Sequence, residues 1–124
     1  MAAVRYIVDD VDGAVGFYNQ MLGFTAKMHT PGKFAKLSLG DLTLFINAPG
    51  AGSAGKAGGN PEPGGWNRFQ IETGDLDGLI EKLRLQGARF RGAVAEAPAG
   101  RQILLEDPSG NAIELFEYAE KGVH

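Results

Sequence analysis

The sequence predicts an α+β fold made of two copies of one strand–helix–strand–strand–strand module. Segments 4–8 and 68–73 alternate apolar and polar residues with the period of two that is typical of a strand. Each segment leads into a helical pattern, and the pairs Asp12-Gly13 and Asp77-Gly78 at the two helix starts lie 65 residues apart. A glycine-rich segment separates the copies. Because neither copy can bury its sheet alone, this repeat indicates one shared architecture.

The first module covers about residues 1–47. Its strand ends at carboxylates, of which Asp9, Asp10 and Asp12 favour helix capping over a catalytic group. Apolar residues then recur at helical spacing until Gly23, which is typical of a helix C-terminus. Segments 24–29, 34–39 and 42–47 are predicted strands, since turn residues separate them.

The segment 48–65 is predicted to be a linker, because it holds seven glycines, three prolines and no apolar side chain larger than alanine or proline. It also matches two phosphate-binding patterns, GxGxxG over 50–55 and GxxxxGK over 50–56. Neither has its context: Pro49 precedes the first glycine, and Ala57 stands where a phosphate loop needs serine or threonine. We therefore predict no nucleotide site here.

The second module covers about residues 66–124 and repeats the order of the first. Its helical pattern is predicted to end at Gly87, and strands are predicted over 89–96, 101–106 and 112–118. The segment 107–111, Asp-Pro-Ser-Gly-Asn, joins the last two strands. We expect Gly110 or Asn111 to take the left-handed conformation in this turn, and Glu106 with Asp107 to belong to it. Residues 1–124 are thus predicted to form a single domain.

Composition excludes several classes of function. The chain of 124 residues carries a net charge of −3, so it lacks the broad basic surface that nucleic acids require. It has no cysteine, which excludes disulfides, thiolate metal sites and thiol nucleophiles. No apolar run approaches the ~20 residues of a membrane span, and no signal peptide is evident. We expect a soluble cytoplasmic protein with no nucleic-acid or membrane partner.

Two segments resemble a known family. They are VRYIVDDVDGAVGFYNQMLGF at 4–24 and QILLEDPSGNAIELFE at 102–117. Both are similar to the vicinal oxygen chelate superfamily, which includes glyoxalase I, extradiol dioxygenases and the fosfomycin and bleomycin resistance proteins. The resemblance implies two βαβββ modules whose half-barrel sheets surround a ligand cavity, within a homodimer. It also implies four metal-ligand positions, which fall here on Ala3, near Thr43, on Arg68 and on Glu114.

Among these four positions only Glu114 is a residue of a type that the family uses to bind metal. One carboxylate cannot hold a divalent ion, and a guanidinium at position 68 would repel it. The two histidines lie elsewhere: His29 is on a strand that the family does not use for metal, and His124 is the last residue. We therefore predict no metal site and no cofactor.

The period of two predicts which side chains line the cavity. If Tyr6 and Phe69 pack on the helices, their strand neighbours face the other way. The predicted ligand-binding residues on or beside this face are Arg5, Phe45, Trp66, Arg68, Gln70, Glu72, Glu114 and Phe116, with His29 at the rim. Two interpretations stay open: an Arg68–Glu114 ion pair replaces the metal, or these groups contact the ligand directly. Trp66 could belong to the pocket or to the core.

Three functions follow from these features. The first is a metal-independent small-molecule-binding protein of the glyoxalase/bleomycin resistance type, which sequesters an antibiotic or a metabolite as a homodimer. The alternative is an enzyme of the same superfamily, a lyase, isomerase or dioxygenase, that uses Glu114 as its only candidate catalytic residue with an atypical or absent metal site. The third is a scaffold or regulatory module whose cavity is filled by its own side chains.

Overall fold

The structure, a computed structural model, describes residues 2–51 and 58–120. The chain divides into two compact units, residues 1–65 with 108–111 and residues 66–107 with 112–124. Each unit holds one four-stranded mixed sheet and one main helix, so the predicted α+β repeat is confirmed. Among the described residues, neither helix is long and apolar enough to span a membrane. Most of the two phosphate-loop patterns, and His124, lie outside the described residues.

The first unit has the predicted element order. Its elements are β1 (Ala3–Ile7), α1 (Val11–Leu22), β2 (Thr25–Thr30), β3 (Phe34–Leu39) and β4 (Leu42–Asn47). In space the strands follow the order β1-β4-β3-β2, with β1 parallel to β4 and the other pairs antiparallel. A β-bulge between Ala26 and Met28 interrupts the β2–β3 register.

The helix α1 begins and ends as its sequence predicts. Asp10 is its N-cap, and the Asp10 carboxylate accepts a hydrogen bond of 3.1 Å from the backbone N–H of Gly13. Gly23 ends the helix with φ of 77°, a conformation that glycine adopts without strain. Tyr18 is fully buried and meets Phe24 edge to face at 5.4 Å. The apolar stripe of α1 therefore covers one face of the first sheet, where Leu44 and Ile46 are also fully buried.

The second unit repeats this arrangement. Its elements are β5 (Arg68–Glu72), α2 (Leu76–Leu85), β6 (Arg89–Ala97), β7 (Gly100–Glu106) and β8 (Ala112–Tyr118). The strand order is β5-β8-β7-β6, with β5 parallel to β8. The helix α2 is capped by Asp75, which accepts from the N–H of Gly78 at 3.0 Å, and Glu117 accepts from the N–H of Leu76 at 2.6 Å. The aspartates after β1 and β5 thus include the two helix caps that the repeat predicted.

We expect Asp10→Ala and Asp75→Ala each to lower the free energy of unfolding by about 1 kcal/mol, because each removes the acceptor of an orphan N–H at a helix start. Urea denaturation followed by circular dichroism measures the loss. Asp41→Ala, in the turn after β3, is the matched control, and it should stay within about 0.5 kcal/mol of the parent. Two cap variants as stable as the control would contradict this account.

The turn between β7 and β8 confirms the predicted left-handed residue and contradicts the predicted place of Glu106. Gly110 takes the left-handed conformation with φ of 85°, whereas Asn111 does not, since no described residue other than glycine has a positive φ. The Asn111 side chain is instead buried and bridges two backbone groups: it accepts from the Gly64 N–H at 2.8 Å and donates to the Ile7 carbonyl at 2.7 Å. Glu106 also lies on β7 rather than in the turn.

Candidate functional site

Each sheet packs its helix against one face and leaves the other face without a helix; we call the latter the helix-free face. On β5 the alternation is as predicted, with Phe69 buried and Arg68, Gln70 and Glu72 exposed. The parallel register places Gln70 beside Glu114 and Glu72 beside Phe116 on β8. These predicted site residues therefore lie together on the helix-free face of the second sheet.

An ion pair lies near the centre of this face. Arg68 Nε donates to Glu114 Oε1 at 2.9 Å, and only 14% of the Glu114 side chain is accessible to solvent. The guanidinium also donates to the Trp66 carbonyl at 3.1 Å. With its amide nitrogen turned toward the carboxylate, Gln102 donates to both Glu114 oxygens at 2.9 and 3.2 Å. The predicted Arg68–Glu114 pair is thus present, and a neighbouring amide extends it.

Aromatic side chains continue the face along β8. Gln70 donates to the Tyr118 hydroxyl at 2.8 Å, and the Phe116 and Tyr118 rings lie 4.5 Å apart. These contacts orient two aromatic rings beside the polar network, in the mixture of apolar walls and few polar groups that is typical of small-molecule sites.

Trp66 precedes β5 in the same unit and is not a core anchor, since 67% of it is exposed. The guanidinium of Arg91 lies over the indole ring at 4.4 Å, and Arg91 Nε donates to Glu106 Oε2 at 3.0 Å. A cation–π contact of this kind holds the ring in place without burying it. Trp66 therefore presents a large apolar surface to solvent.

The helix-free face of the first sheet holds Arg5 and Phe45. They are register partners on β1 and β4, and the Arg5 guanidinium lies 4.6 Å above the centre of the Phe45 ring. Arg5 also donates to the Asn47 side-chain oxygen at 2.5 Å. The predicted pair of residues is therefore brought together, and Asn47 orients the guanidinium.

His29 does not lie at the rim with these residues. Its register partner is Ala35, which is fully buried on the helix-facing side of β3. The His29 ring contacts Asp12 of α1, with 2.7 Å between Nε2 and Oδ1, and Asp12 also accepts from the N–H of Gly32 at 3.2 Å. The hydrogen bond with His29 lowers the pKa of Asp12. His29 thus joins a strand to the helix, and the prediction of a rim position was wrong because the bulge in β2 shifts its face.

The residues at the four implied metal positions do not fit a divalent ion. Ala3 and Thr43 are register partners on the first sheet, and they supply at most one hydroxyl. Arg68 and Glu114 neutralise each other on the second sheet. Within residues 2–51 and 58–120, no three His, Cys, Asp or Glu side chains come together as a metal site would need. On the second sheet the implied metal position is therefore occupied by the Arg68–Glu114 ion pair.

Sequence reasoning missed several residues of these faces. They are Lys36, Asn47, Arg91, Gln102 and Tyr118. The period of two could have placed Gln102 and Tyr118, since they alternate with the buried Ile103 and with Glu117, which caps α2. It could not have placed Arg91, because the register of β6 shifts between Arg91 and Ala95.

The Arg101–Asp77 ion pair, which lies outside both helix-free faces, makes the stability of the protein depend on pH. Arg101 donates to both oxygens of Asp77, at 2.9 and 3.2 Å, and this hydrogen bonding lowers the pKa of Asp77. The pair therefore contributes stability at neutral pH that is lost as the pH falls through the lowered pKa of Asp77. In a ¹³C carboxyl titration, Arg101→Gln should raise the midpoint of Asp77, because the hydrogen bonds that lower its pKa are lost. An unchanged Asp77 midpoint would contradict the assignment.

Comparison with known proteins identifies a family and several solved structures with a similar fold. The family model for the Glyoxalase/Bleomycin resistance protein/Dioxygenase superfamily matches residues 1–115. Among curated proteins, no sequence matches the chain significantly. The fold is similar to that of a lactoylglutathione lyase from Agrobacterium tumefaciens, with 20% identity, a TM-score of 0.77 and coverage of 99% of this chain and 97% of that one.

Two further solved structures are similar. A glyoxalase/bleomycin resistance protein/dioxygenase from Nocardioides shares 25% identity with a TM-score of 0.75, over 98% of this chain and 85% of that one. An antibiotic binding protein from Streptomyces sp. CB03234 shares 24% identity with a TM-score of 0.70, over 96% of this chain and 97% of that one. One fold thus serves a lyase and a binding protein, so the fold alone does not assign the activity.

Proposed function

The chain belongs to the glyoxalase/bleomycin resistance protein/dioxygenase superfamily, and we propose that within it this protein binds a small organic molecule without a metal ion and without converting it. The ligand class that fits best is an antibiotic or a metabolite that the protein sequesters. The site residues of this proposal are those of the two helix-free faces. The cytoplasm is the proposed compartment.

The Arg68–Glu114 pair carries this proposal. Glu114 is the one position that matches a family metal ligand, and its oxygens already accept from Arg68 and Gln102. A cation would have to displace a guanidinium that holds the carboxylate at 2.9 Å, and among the described residues no three His, Cys, Asp or Glu side chains come together to bind it. A carboxylate held in this way is also less suited to act as a base, because Arg68 and Gln102 already take part of its capacity to accept hydrogen bonds.

The exposed aromatic surface supports binding over a purely structural role. Trp66 is held by Arg91 with most of its ring in solvent, and Phe116 and Tyr118 lie beside the polar network. Exposed aromatic groups next to oriented polar side chains are typical of ligand sites. The antibiotic binding protein from Streptomyces has the same fold, so this class of function is compatible with it.

Metal content is the first test. Protein purified without chelator should contain far less than one divalent ion per chain by inductively coupled plasma mass spectrometry, because one paired carboxylate cannot hold an ion. Addition of Co²⁺ should produce no ligand-field absorption bands, and Glu114→Gln should leave the metal content unchanged. About one tightly held ion per chain, lost in Glu114→Gln, would overturn metal independence and favour the enzyme.

Trp66 is the only tryptophan of the chain, so its fluorescence reports directly on the proposed site. We expect at least one compound in a panel of antibiotics and aromatic metabolites to change the Trp66 emission and to raise the melting temperature. Mass spectrometry should recover the compound unchanged after incubation. Recovery of a product would favour the lyase, isomerase or dioxygenase alternative that uses Glu114.

The scaffold alternative is favoured by the same Arg68–Glu114 pair, since an internal ion pair needs no ligand. The two functions differ in the response of Arg68→Met. A binding role predicts that this variant loses affinity for the compound found in the fluorescence screen, whereas a scaffold predicts a loss of stability and no bound compound at all.

We also propose a homodimer, because the family resemblance implies one. Multi-angle light scattering at micromolar concentration should give twice the mass of one chain. A mass equal to that of one chain would contradict the dimer and leave the binding proposal standing.

A further inference from the structure

The two sheets share one topology but carry different charges. Strands β1 to β4 contain Arg5, Lys27 and Lys36, and they contain no aspartate or glutamate. Strands β5 to β8 contain four arginines and five glutamates. The topology does not require this difference, because both sheets pack one helix in the same way. The first sheet is therefore electropositive, whereas the charges of the second sheet nearly cancel.

Two of the three cations of the first sheet lie on its helix-free face, on either side of one aromatic ring. Phe45 on β4 is the register partner of Arg5 on β1 and of Lys36 on β3. Side chains of directly opposed residues in a sheet have Cβ atoms roughly 5 Å apart. The backbones of Arg5 and Lys36 thus lie about two strand spacings apart, near 10 Å. Both side chains are long enough to reach one anionic group that lies between the two strands.

Neither cation forms an ion pair with a residue that the structure describes. Within the described residues, Arg68, Arg91 and Arg101 of the second unit each form an ion pair, whereas Arg5 and Lys36 form none. Arg5 is nevertheless held in place, since it stacks on Phe45 and donates to Asn47. A guanidinium with a fixed plane loses little entropy when it binds a carboxylate or phosphate, so the side chain is preorganised for an anion.

Apolar groups complete this face. Phe34 is the register partner of Asn47, and Met28, which is 53% exposed, is the register partner of Lys36. A ligand that contacts both kinds of group needs an apolar body and a negative charge. We infer that the helix-free face of the first sheet is an anion-binding subsite, in which Lys36 and the Arg5 guanidinium stacked on Phe45 hold the acidic group of an aromatic ligand.

This inference rests on the proposed binding function and names its ligand class. The carboxylate 1-naphthoate, the phosphate 1-naphthyl phosphate and the neutral 1-naphthamide share one ring system, so they separate charge from shape. In ¹⁵N–¹H correlation spectra, the two anions should shift the amides around Arg5, Phe45 and Lys36. The neutral amide should bind about tenfold more weakly, because a charge-assisted hydrogen bond is lost. The tighter of the two anions identifies the acidic group.

Variants test the two cations separately. Arg5→Gln and Lys36→Gln should each weaken binding of the preferred anion about three- to tenfold and leave 1-naphthamide unaffected. Lys27→Gln, at the bulge of β2, is the matched control for loss of one positive charge on the same sheet, and it should have no effect at constant ionic strength. Thermal unfolding of each variant checks that the sheet is intact.

The outcomes separate this subsite from the general proposal. Equal affinities for the anions and 1-naphthamide, or equal effects of Lys27→Gln and the other two variants, would overturn the subsite. If all three probes shift amides around Trp66 and Phe116 only, ligand binding stands and the acidic-group specificity falls. If no probe shifts any amide on β1, β3 or β4, the subsite also falls, and the Trp66 fluorescence screen decides the binding function on its own.

Discussion

Gly100→Ala is expected to lower the free energy of unfolding by about 3 kcal/mol or more, because a side chain at this position has no space. Gly100 begins β7 with φ of 155° and is buried. A Cβ atom there would overlap the carbonyl oxygen of Glu117, and it would lie 2.9 Å from Phe116 Cε1 and 3.0 Å from Tyr118 Cα. Two of these three neighbours are backbone atoms of β8, so the strand pair itself would have to separate.

Gly16→Ala is the matched control, since a Cβ at Gly16 meets nothing within 4 Å and the residue lies inside α1. Alanine there should be neutral or stabilise the protein by up to about 1 kcal/mol, because it has the higher helix propensity. Urea denaturation of both variants measures the difference. A Gly100→Ala variant as stable as Gly16→Ala would show that β7 and β8 can adjust and that the close approach is not required.

The same substitution links the fold to the candidate site. The Phe116 ring lies against Gly100 on one side and near the Tyr118 ring on the other. A methyl group at position 100 would push the Phe116 ring along the helix-free face, where the proposed ligand binds. We therefore expect any Gly100→Ala protein that folds to bind the compound found in the fluorescence screen more weakly as well.

Local chemistry explains why the element order could be predicted. A strand that alternates Phe69 with Arg68 and Gln70 has one buried face whatever surrounds it, and an aspartate before an amphipathic stretch caps a helix through contacts within four residues. The Arg68–Glu114 pair could be predicted for a related reason, because the family resemblance places both residues at neighbouring positions of one site.

The neighbours of the site residues could not be predicted, because they depend on strand register and on β-bulges. The adjacency of Arg5, Phe45 and Lys36 depends on how three strands align, and period two fixes the face of a residue but not its neighbour. The position of His29 was predicted wrongly for a related reason. The bulge between Ala26 and Met28 adds one residue to β2 and so exchanges the faces of all later residues of that strand. Residues such as Gln102 and Arg91 could be assigned to the site only once the strand pairing was known.

The two modules share one topology but differ in how their charges are paired. The two modules keep the same topology and the same helix-capping aspartates. On the second sheet Arg68 and Arg91 are paired with glutamates, whereas Arg5 and Lys36 of the first sheet form no ion pair within the described residues. The acidic group that we propose for the ligand therefore has its counter-charges on the first sheet.

Asn111→Ala is expected to lower the free energy of unfolding by about 2–4 kcal/mol, because it leaves two backbone groups without partners at a buried position. The Asn111 amide accepts from the Gly64 N–H and donates to the Ile7 carbonyl, and only 4% of the residue is exposed. Asn111→Asp keeps the acceptor for Gly64 but loses the donor for Ile7, so it should be destabilised as well. Urea denaturation measures both variants.

Ser109→Ala is the comparison for this turn, since the Ser109 hydroxyl accepts a hydrogen bond from the Asp9 N–H at 2.9 Å in an exposed setting. Its loss should cost about 1 kcal/mol or less. An Asn111→Ala variant no less stable than Ser109→Ala would contradict the bridging role. If Asn111→Ala is the less stable of the two variants, the Asp-Pro-Ser-Gly-Asn segment, which carries much of the family resemblance, has a structural role. Its Asn111 side chain then holds the backbone at Gly64 and Ile7. A match at that segment then reports on the fold and not on the chemistry of the candidate site.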